Sequence, residues 1–196
     1  MRLALMKLAI LFWAAALWAQ PVKILVAYHS DTGNTAKLAE AVRKGAAEVS
    51  GVTVTLKKDA DVTDAEIASY DGIAFGAAVQ WQSVAADGKR FLDRVAAAIA
   101  KLPQRGDGRT AGVFCTAGAV ASGKDLARVA MIAEFLAMRF TVVGGVDAEG
   151  FGTLGPQATT GPGSKGVDAV AVEEGRAFGE RLARLTKQSR SGSVKP

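Results

Sequence analysis

The sequence predicts an α/β protein with three layers: a doubly wound sheet of five parallel strands, covered by helices on both faces. Short apolar segments with strand character alternate five times with segments whose apolar residues recur every three or four positions. The strand segments are continuous apolar runs, which is typical of parallel strands that are buried on both faces. The chain of 196 residues is long enough for one such domain and too short for two.

The elements follow in a regular order along the chain. We predict strands at 23–28, 52–56, 72–75, 110–116 and 140–143, and helices at 35–49, 64–69, 88–102, 126–138 and 167–185. Thr63 and Glu66 have the spacing of a capping box at the start of the second helix. Residues 144–166 are rich in Gly and Pro and lack periodicity, so we expect an irregular segment there.

The first nineteen residues differ from the rest of the chain. Arg2 and Lys7 precede an uninterrupted apolar run over 8–19, the layout of a secretory signal peptide. Cleavage would export the protein to the periplasm or the medium. An uncleaved segment would anchor it at a membrane, and a misassigned start codon is a further alternative. The expected organisation is therefore a signal at 1–19, one domain at 20–186 and a flexible tail at 187–196.

Composition argues against several functions. Without residues 1–19 the chain carries 22 basic and 19 acidic residues. The charges form no basic stripe, so a nucleic-acid partner is not expected. Cys115 and His29 are the only cysteine and histidine. No metal-ligand spacing occurs, and His29 has no G-x-S-x-G motif that would complete a Ser-His-Asp triad.

The strongest functional signal is the loop between the first strand and the first helix. It places three hydroxyl groups and a glycine within six residues: Ser30, Asp31, Thr32, Gly33, Asn34 and Thr35. Backbone N–H groups of such a loop and of the helix N-terminus converge on one point, which favours an anion such as a phosphate monoester. The alternative is that these polar residues only cap the helix. The loop has neither the lysine of a Walker A motif nor a G-x-G-x-x-G pattern.

This Ser-x-Thr-Gly-x-Thr pattern resembles the FMN-phosphate loop of flavodoxins. Over 22–185 the chain is similar to NAD(P)H:quinone oxidoreductases of the tryptophan-repressor-binding-protein type. Besides the loop, the similarity rests on Lys-Ile-Leu-Val at 23–26, Tyr-Asp-Gly-Ile-Ala-Phe-Gly at 70–76 and Phe-Leu-Asp at 91–93. The resemblance implies a flavodoxin-like fold, FMN as the cofactor and a homo-oligomer.

The resemblance also assigns two further loops to the cofactor. The loop at 76–84 would place Val79, Gln80 and Trp81 against the flavin, although of the related reductases' Pro-Thr-Arg-aromatic-Gly-Asn run only the aromatic residue is present. Trp81 would stack on the ring; alternatively it closes a core or an interface. The loop at 116–124 would offer backbone N–H groups to the flavin, from Thr116, Ala117, Gly118 and Ala119. A merely flexible loop is the alternative there, with Cys115 a small buried residue.

The roles of Arg139 and of residues 161–165 are implied by the resemblance alone. The flavin-side histidine of the related reductases aligns with Arg139, which either stabilises charge on the cofactor or lies on the surface. Residues 161–165 match the Gly-rich segment where a neighbouring subunit would approach the flavin. The tryptophan that lines the substrate pocket of these reductases has no counterpart around 96–100.

The leading functional hypothesis is an FMN-dependent oxidoreductase that takes hydride from NADH or NADPH and reduces a quinone-like acceptor or a redox protein. The sequence assigns no catalytic residue. One alternative is a non-enzymatic electron carrier; such carriers are usually acidic, whereas this chain has a formal net charge of +5. The other is a domain that has lost the flavin and binds a partner.

Overall fold

The computed structural model describes residues 20–161 and 166–192. The expected signal segment at 1–19, residues 162–165 of the Gly-rich segment and residues 193–196 of the expected tail lie outside the described residues. No helix within the described part of the chain is long and apolar enough to cross a membrane.

The core of the fold is a parallel sheet with the order β2-β1-β3-β5-β6, and β9 continues beside β5 where β6 has ended. This arrangement confirms the predicted doubly wound sheet. The strands are β1 (Val22–Tyr28), β2 (Val52–Lys58), β3 (Gly72–Gln80), β4 (Ser83–Val84), β5 (Thr110–Ala117), β6 (Thr141–Val142), β7 (Gly145–Val146), β8 (Gly152–Thr153) and β9 (Gln157–Thr159).

Helices cover both faces of the sheet, because alternate strand residues point to opposite sides. Ile24 and Val26 pack on the side of the first and last helices, whereas Leu25 and Ala27 pack on the side of the other three. The helices are α1 (Asn34–Ala47), α2 (Asp64–Ser69), α3 (Ala86–Ala100), α4 (Lys124–Ala137) and α5 (Ala169–Ser191). A short 3-10 turn, Asp59–Asp61, follows β2.

Side-chain caps mark the starts of two of the five helices. The Thr63 hydroxyl accepts from the Glu66 N–H at 3.2 Å while the Glu66 carboxylate accepts from the Thr63 N–H at 2.8 Å, which confirms the capping box. Asp168 caps α5 by accepting from the Ala171 N–H at 2.9 Å. The last helix extends to Ser191, past the expected end at residue 185, because the buried Thr186 continues its inner face.

Two segments differ from the sequence prediction. The fifth strand position is shared by β6 and β9, and residues 143–156 between them contain the β7–β8 hairpin. Residues 144–166 are therefore not wholly irregular. The expected loop at 76–84 is itself largely a hairpin, since β3 runs on to Gln80 and pairs antiparallel with β4. The strands β4, β6, β7, β8 and β9 have only two or three residues each, which is too short for a period to be visible in the sequence.

Candidate functional site

Three loops meet at the carboxyl edge of the sheet, where ligands of such folds bind. They follow β1, β3 and β5, whose ends are held level by parallel pairing. Side chains join the loops: Gln80 Nε2 donates to Asp31 Oδ2 at 2.9 Å, and Gln82 Nε2 donates to the Ala121 carbonyl at 3.3 Å. The sequence prediction that these loops form one site is therefore consistent with the geometry.

The first loop, residues 30–35, leads into α1 without a side-chain cap. The helix begins at Asn34, and Gly33 precedes it with a left-handed φ of 86°. A side chain at Gly33 would meet no atom within 4 Å, so the backbone conformation rather than crowding favours glycine. Because the first N–H groups of a helix lack intrahelical partners, this uncapped end is suited to an anion. The structure shows no side chain that caps α1, so it gives no support to the alternative that these residues only cap the helix.

Two hydroxyl oxygens of this loop accept hydrogen bonds from other groups of the loop. Ser30 Oγ accepts from the Gly33 N–H at 3.1 Å, and Thr32 Oγ1 accepts from Asn34 Nδ2 at 3.0 Å. A hydroxyl that accepts in this way keeps its own proton for donation. Among the contacts of the described residues neither proton has an acceptor, so both can serve an anion that enters the loop.

Thr35 has a different environment. Its side chain is 1% exposed, and its hydroxyl lies 2.8 Å from the hydroxyl of Thr116, which is also buried. This contact ties the start of α1 to the end of β5. The structure therefore gives Thr35 a packing role that the sequence did not suggest, and a bond from Thr35 to a phosphate stays a prediction.

The second loop is the tip of the β3–β4 hairpin. Val79 pairs with Val84 and Gln80 with Ser83, which leaves Trp81 and Gln82 as the two turn residues. Both have positive φ, 49° and 68°. Two-residue hairpin turns need such angles and usually take them with Asn or Gly, so bulky residues here carry strain of about 1–3 kcal/mol each. The Trp81 indole is 99% exposed.

The third loop begins later than expected. Of the four residues predicted to contact the flavin, Thr116 and Ala117 are buried residues of β5, whereas Gly118 and Ala119 are exposed. The Ala117 carbonyl accepts from the N–H of Thr160 at 2.7 Å. A Cβ at Gly161 would lie 1.7 Å from the Gly118 carbonyl oxygen. The segment after β9 thus packs against the third loop, a neighbourhood that the aperiodic sequence of this segment did not reveal.

Arg139 does not lie with these loops, which corrects its assignment as a cofactor-binding residue. It follows α4 and precedes β6, which starts beside Thr110, the first residue of β5. It therefore lies at the amino edge of the sheet, roughly 20 Å away along a strand of this length. Its guanidinium pairs with Asp107, with Nε 3.0 Å from Oδ1. Its positive φ of 71° follows the end of α4. The resemblance to the related reductases did not predict this backbone conformation.

A buried pair of polar side chains beneath the first loop was not predicted from the sequence. His29 Nδ1 lies 3.0 Å from Asp59 Oδ2, and both side chains are buried. His29 Nε2 lies 3.4 Å from Asp31 Oδ1 in the loop. The signal available in the sequence was the position of the lone histidine, directly before the loop.

Two other kinds of chemistry, that of a reactive thiol and that of a metal ion, can be compared with the structure. Burial raises the pKa of Cys115 to about 11, so its thiol stays protonated near neutral pH and is a poor nucleophile. Within 20–161 and 166–192 no cluster of three His, Cys, Asp or Glu residues could hold a metal ion.

The fold and the site together define a class of protein: a doubly wound α/β domain with the strand order of flavodoxin-like proteins and an uncapped, hydroxyl-rich loop at its carboxyl edge. The flavodoxin domain family matches residues 25–138, more than half of the chain. The protein belongs to this family.

Individual relatives agree with the family. A flavodoxin from Aquifex aeolicus is 33% identical over 128 residues, which cover 65% of this chain and 68% of that protein. An NAD(P)H dehydrogenase (quinone) from Brucella anthropi is 36% identical over 100 residues, 41% of this chain and 50% of its own length. The crystal structure of a flavodoxin, WrbA-like protein from Agrobacterium tumefaciens superimposes with a TM-score of 0.67 at 20% identity, covering 86% of this chain and 99% of that one. The suspected relationship to flavodoxins and quinone reductases is thereby confirmed.

Proposed function

We propose that this protein binds FMN at the carboxyl edge of its sheet and acts as an NAD(P)H:quinone-type oxidoreductase. The observation that carries the proposal is the first loop, where an uncapped helix N-terminus lies beside two hydroxyl groups that have protons to donate. These donors suit a terminal phosphate monoester, which favours FMN over a dinucleotide.

The residues present fit such a group. The phosphate would be held by the N–H groups of the first turn of α1 and by the hydroxyls of Ser30 and Thr32. The third loop offers open space, since a Cβ at Gly118 would meet no atom within 4 Å. FMN, when bound, would supply the redox chemistry by accepting hydride and passing on two electrons. The protein would contribute binding, orientation and exclusion of water.

Trp81 would cover the flavin ring. An almost fully exposed indole on a strained turn is costly to maintain, and such outliers concentrate at sites of function. The turn is also held in place: a Cβ at Gly123 would lie 2.5 Å from the Gln82 carbonyl oxygen, so the hairpin tip and the third loop are in close backbone contact. Stacking on a flavin would remove the indole from water and add about 0.5–1.5 kcal/mol beyond the area that is buried.

The choice between enzyme and carrier rests on different observations. The relative named as a quinone dehydrogenase supports the enzyme. The relative named as a flavodoxin, which matches a larger share of the chain, supports a non-enzymatic electron carrier as the second candidate. Near the site, Trp81 and Val120 are exposed apolar residues, which suits a quinone-like acceptor better than a charged protein partner.

A binding experiment tests the cofactor. The purified chain is titrated with FMN, FAD and riboflavin, and FMN should bind most tightly. Thr32→Val should raise the FMN Kd about tenfold or more, because a charge-assisted hydrogen bond contributes about 1.5–3 kcal/mol. Riboflavin, which lacks the phosphate, should bind both proteins equally. Thr141→Val, an exposed threonine at the opposite edge of the sheet, is the matched control.

A kinetic experiment tests the activity. The FMN-loaded protein is mixed anaerobically with NADH or NADPH, and the loss of flavin absorbance is followed before a soluble benzoquinone is added. Reduction by either nucleotide and turnover with the quinone support the enzyme. A bound flavin that neither nucleotide reduces would support the carrier, and failure to bind FMN would refute the flavoprotein proposal altogether.

A further inference from the structure

An apolar cavity lies between α5 and the β7–β8 hairpin. It is open to solvent and has a volume of about 340 Å³, which is within the range of small-molecule pockets. Its apolar walls are formed by Val146 and Ala148 of the hairpin and by Ala169, Val170 and Ala177 of α5. Val170 is 61% exposed, so the rest of the domain leaves this surface uncovered. A concave apolar surface of this kind is a candidate ligand site.

Three carboxylates form the rim of the cavity: Asp147 in the hairpin, and Glu173 and Glu174 on α5. Asp147 Oδ1 accepts from the Phe151 N–H at 2.7 Å. Glu173 pairs with Arg176, with Oε2 3.2 Å from Nε. Glu174 is partly buried, and within the described part of the chain its carboxylate has neither a hydrogen bond nor an ion pair. The rim is therefore negative, with one carboxylate left for a partner from outside.

The surroundings of Glu174 do not compensate its charge. Burial raises the pKa of its carboxyl group, and the carboxylates of Asp147 and Asp168 raise this pKa further. Arg128 acts in the opposite direction, but its guanidinium already pairs with Asp125. A carboxylate with only other carboxylates for close neighbours is stabilised by a cation that comes near it.

An organic cation fits this cavity better than a metal ion. A metal ion needs several ligands that converge on one point, and no cluster of three His, Cys, Asp or Glu residues among those that the structure describes offers this. An ammonium group has three N–H donors, which can point to separate acceptors on the rim. The apolar walls would cover a hydrocarbon body attached to that group, because burial of apolar surface stabilises binding. An anion would meet three charges of its own sign.

We propose that this cavity binds a small organic cation with an apolar body, an alkylammonium or arylammonium ion. Its charged group lies at Glu174, and its hydrocarbon part lies against Val146 and Val170. The cavity shares no residue with the loops at 30–35, 76–84 and 116–124. The inference therefore goes beyond the proposed function and does not rest on it.

A series of matched ligands tests the chemistry on the wild-type protein. Hexylammonium, 1-hexanol, hexanoate and methylammonium are titrated at pH 7, where a primary amine is charged like a lysine side chain, and amide signals are followed by NMR. Hexylammonium should shift the signals of residues 146–148 and 169–177, with a Kd at least about tenfold below those of the other three, because it alone has both the charge and the apolar body. Equal binding of hexylammonium and hexanol, or no saturable shift at these signals, would overturn the inference.

Two variants locate the ligand. Glu174→Gln removes the charge at nearly constant size and should raise the hexylammonium Kd about tenfold or more, since a hydrogen bond between charged groups is weakened. Ala177→Phe, at an exposed position, places a ring in the cavity and should weaken binding to a similar extent. Glu180→Gln is the matched control, because Glu180 lies on the same helix outside the cavity and pairs with Arg184. If Glu174→Gln and Ala177→Phe bind hexylammonium as the wild type does, the ligand lies elsewhere and the inference fails.

The stability of Glu174→Gln provides an independent readout. Because the pKa of Glu174 is raised in the folded protein, its ionised carboxylate favours the unfolded state at neutral pH. The substitution should therefore leave the urea midpoint at pH 7 unchanged or raise it, while the affinity for hexylammonium falls. A midpoint below that of the wild type would show that this carboxylate stabilises the fold through a contact of its own, and would overturn its assignment to a ligand.

Discussion

The contact between Thr35 and Thr116 gives a quantitative test of how the first loop is held. The two hydroxyl oxygens are 2.8 Å apart, and the residues are 1% and 3% exposed. Thr35→Val and Thr116→Val each replace a hydroxyl by a methyl group of similar size. Each variant therefore removes one hydrogen bond and leaves the other hydroxyl buried without its partner.

The expected loss follows from these two effects. A neutral hydrogen bond contributes about 1 kcal/mol net, and an unsatisfied buried hydroxyl costs about 1–3 kcal/mol. We expect each single variant to lower the free energy of unfolding by about 1–3 kcal/mol. The double variant has two apolar groups in contact and should lose no more than either single variant, because replacing both partners is nearly neutral.

The assay is urea denaturation of the four proteins of the cycle without flavin, followed by circular dichroism. In thermal unfolding of the same proteins, the melting temperature should fall by about 2–4 °C for each kcal/mol of stability that is lost. If the losses of the single variants add up in the double variant to within about 0.5 kcal/mol, the two hydroxyls do not interact and the reasoning is refuted.

The same variants separate packing from phosphate binding. If Thr35 serves only the contact with Thr116, Thr35→Val and Thr116→Val should change the FMN Kd alike, and less than Thr32→Val does. A loss of affinity in Thr35→Val that matches Thr32→Val, with Thr116→Val unaffected, would show that Thr35 donates to the phosphate as the sequence suggested.

Further predictions concern residues around and away from the site. Trp81 fluorescence should be quenched as FMN saturates a chain lacking residues 1–19, which contain the other tryptophans; unchanged emission would exclude stacking. Arg139→Ala should leave the FMN Kd unchanged, because Arg139 pairs with Asp107 at the opposite edge of the sheet; a tenfold loss would contradict this placement. With its pKa raised to about 11 by burial, the Cys115 thiol should react slowly with a disulfide reagent at pH 8 and about tenfold faster per pH unit up to that value while the fold persists; rapid reaction at pH 8 would contradict the buried environment. Gly123→Ala should destabilise the protein by about 1–3 kcal/mol in denaturant titration, since φ is 73° and the new methyl would meet the Gln82 backbone; wild-type stability would show that the two loops move apart freely.

Much of the fold could be predicted from local patterns. Continuous apolar strands and amphipathic helices gave the parallel sheet, and the spacing of Thr63 and Glu66 gave a capping box that the structure confirms. The sequence did not predict that β6 and β9 together form the fifth strand of the sheet. Each has only two or three residues, and their place beside β5 is set by pairing with that strand. The β3–β4 hairpin was missed for a similar reason: its turn uses Trp81 and Gln82, which carry no turn signal.

By itself the sequence determined the class of sheet, and it singled out the loop at 30–35 as a candidate anion site, since both depend on residue types close together in the chain. Only the tertiary structure decided which side chains of that loop have a hydrogen-bond donor left for a ligand. In the folded protein Thr35 contacts Thr116. His29 lies between Asp59 and Asp31. Arg139 lies at the opposite edge of the sheet from the loop. Such contacts join residues that are tens of positions apart, and their energies depend on burial and on distances that no local pattern encodes.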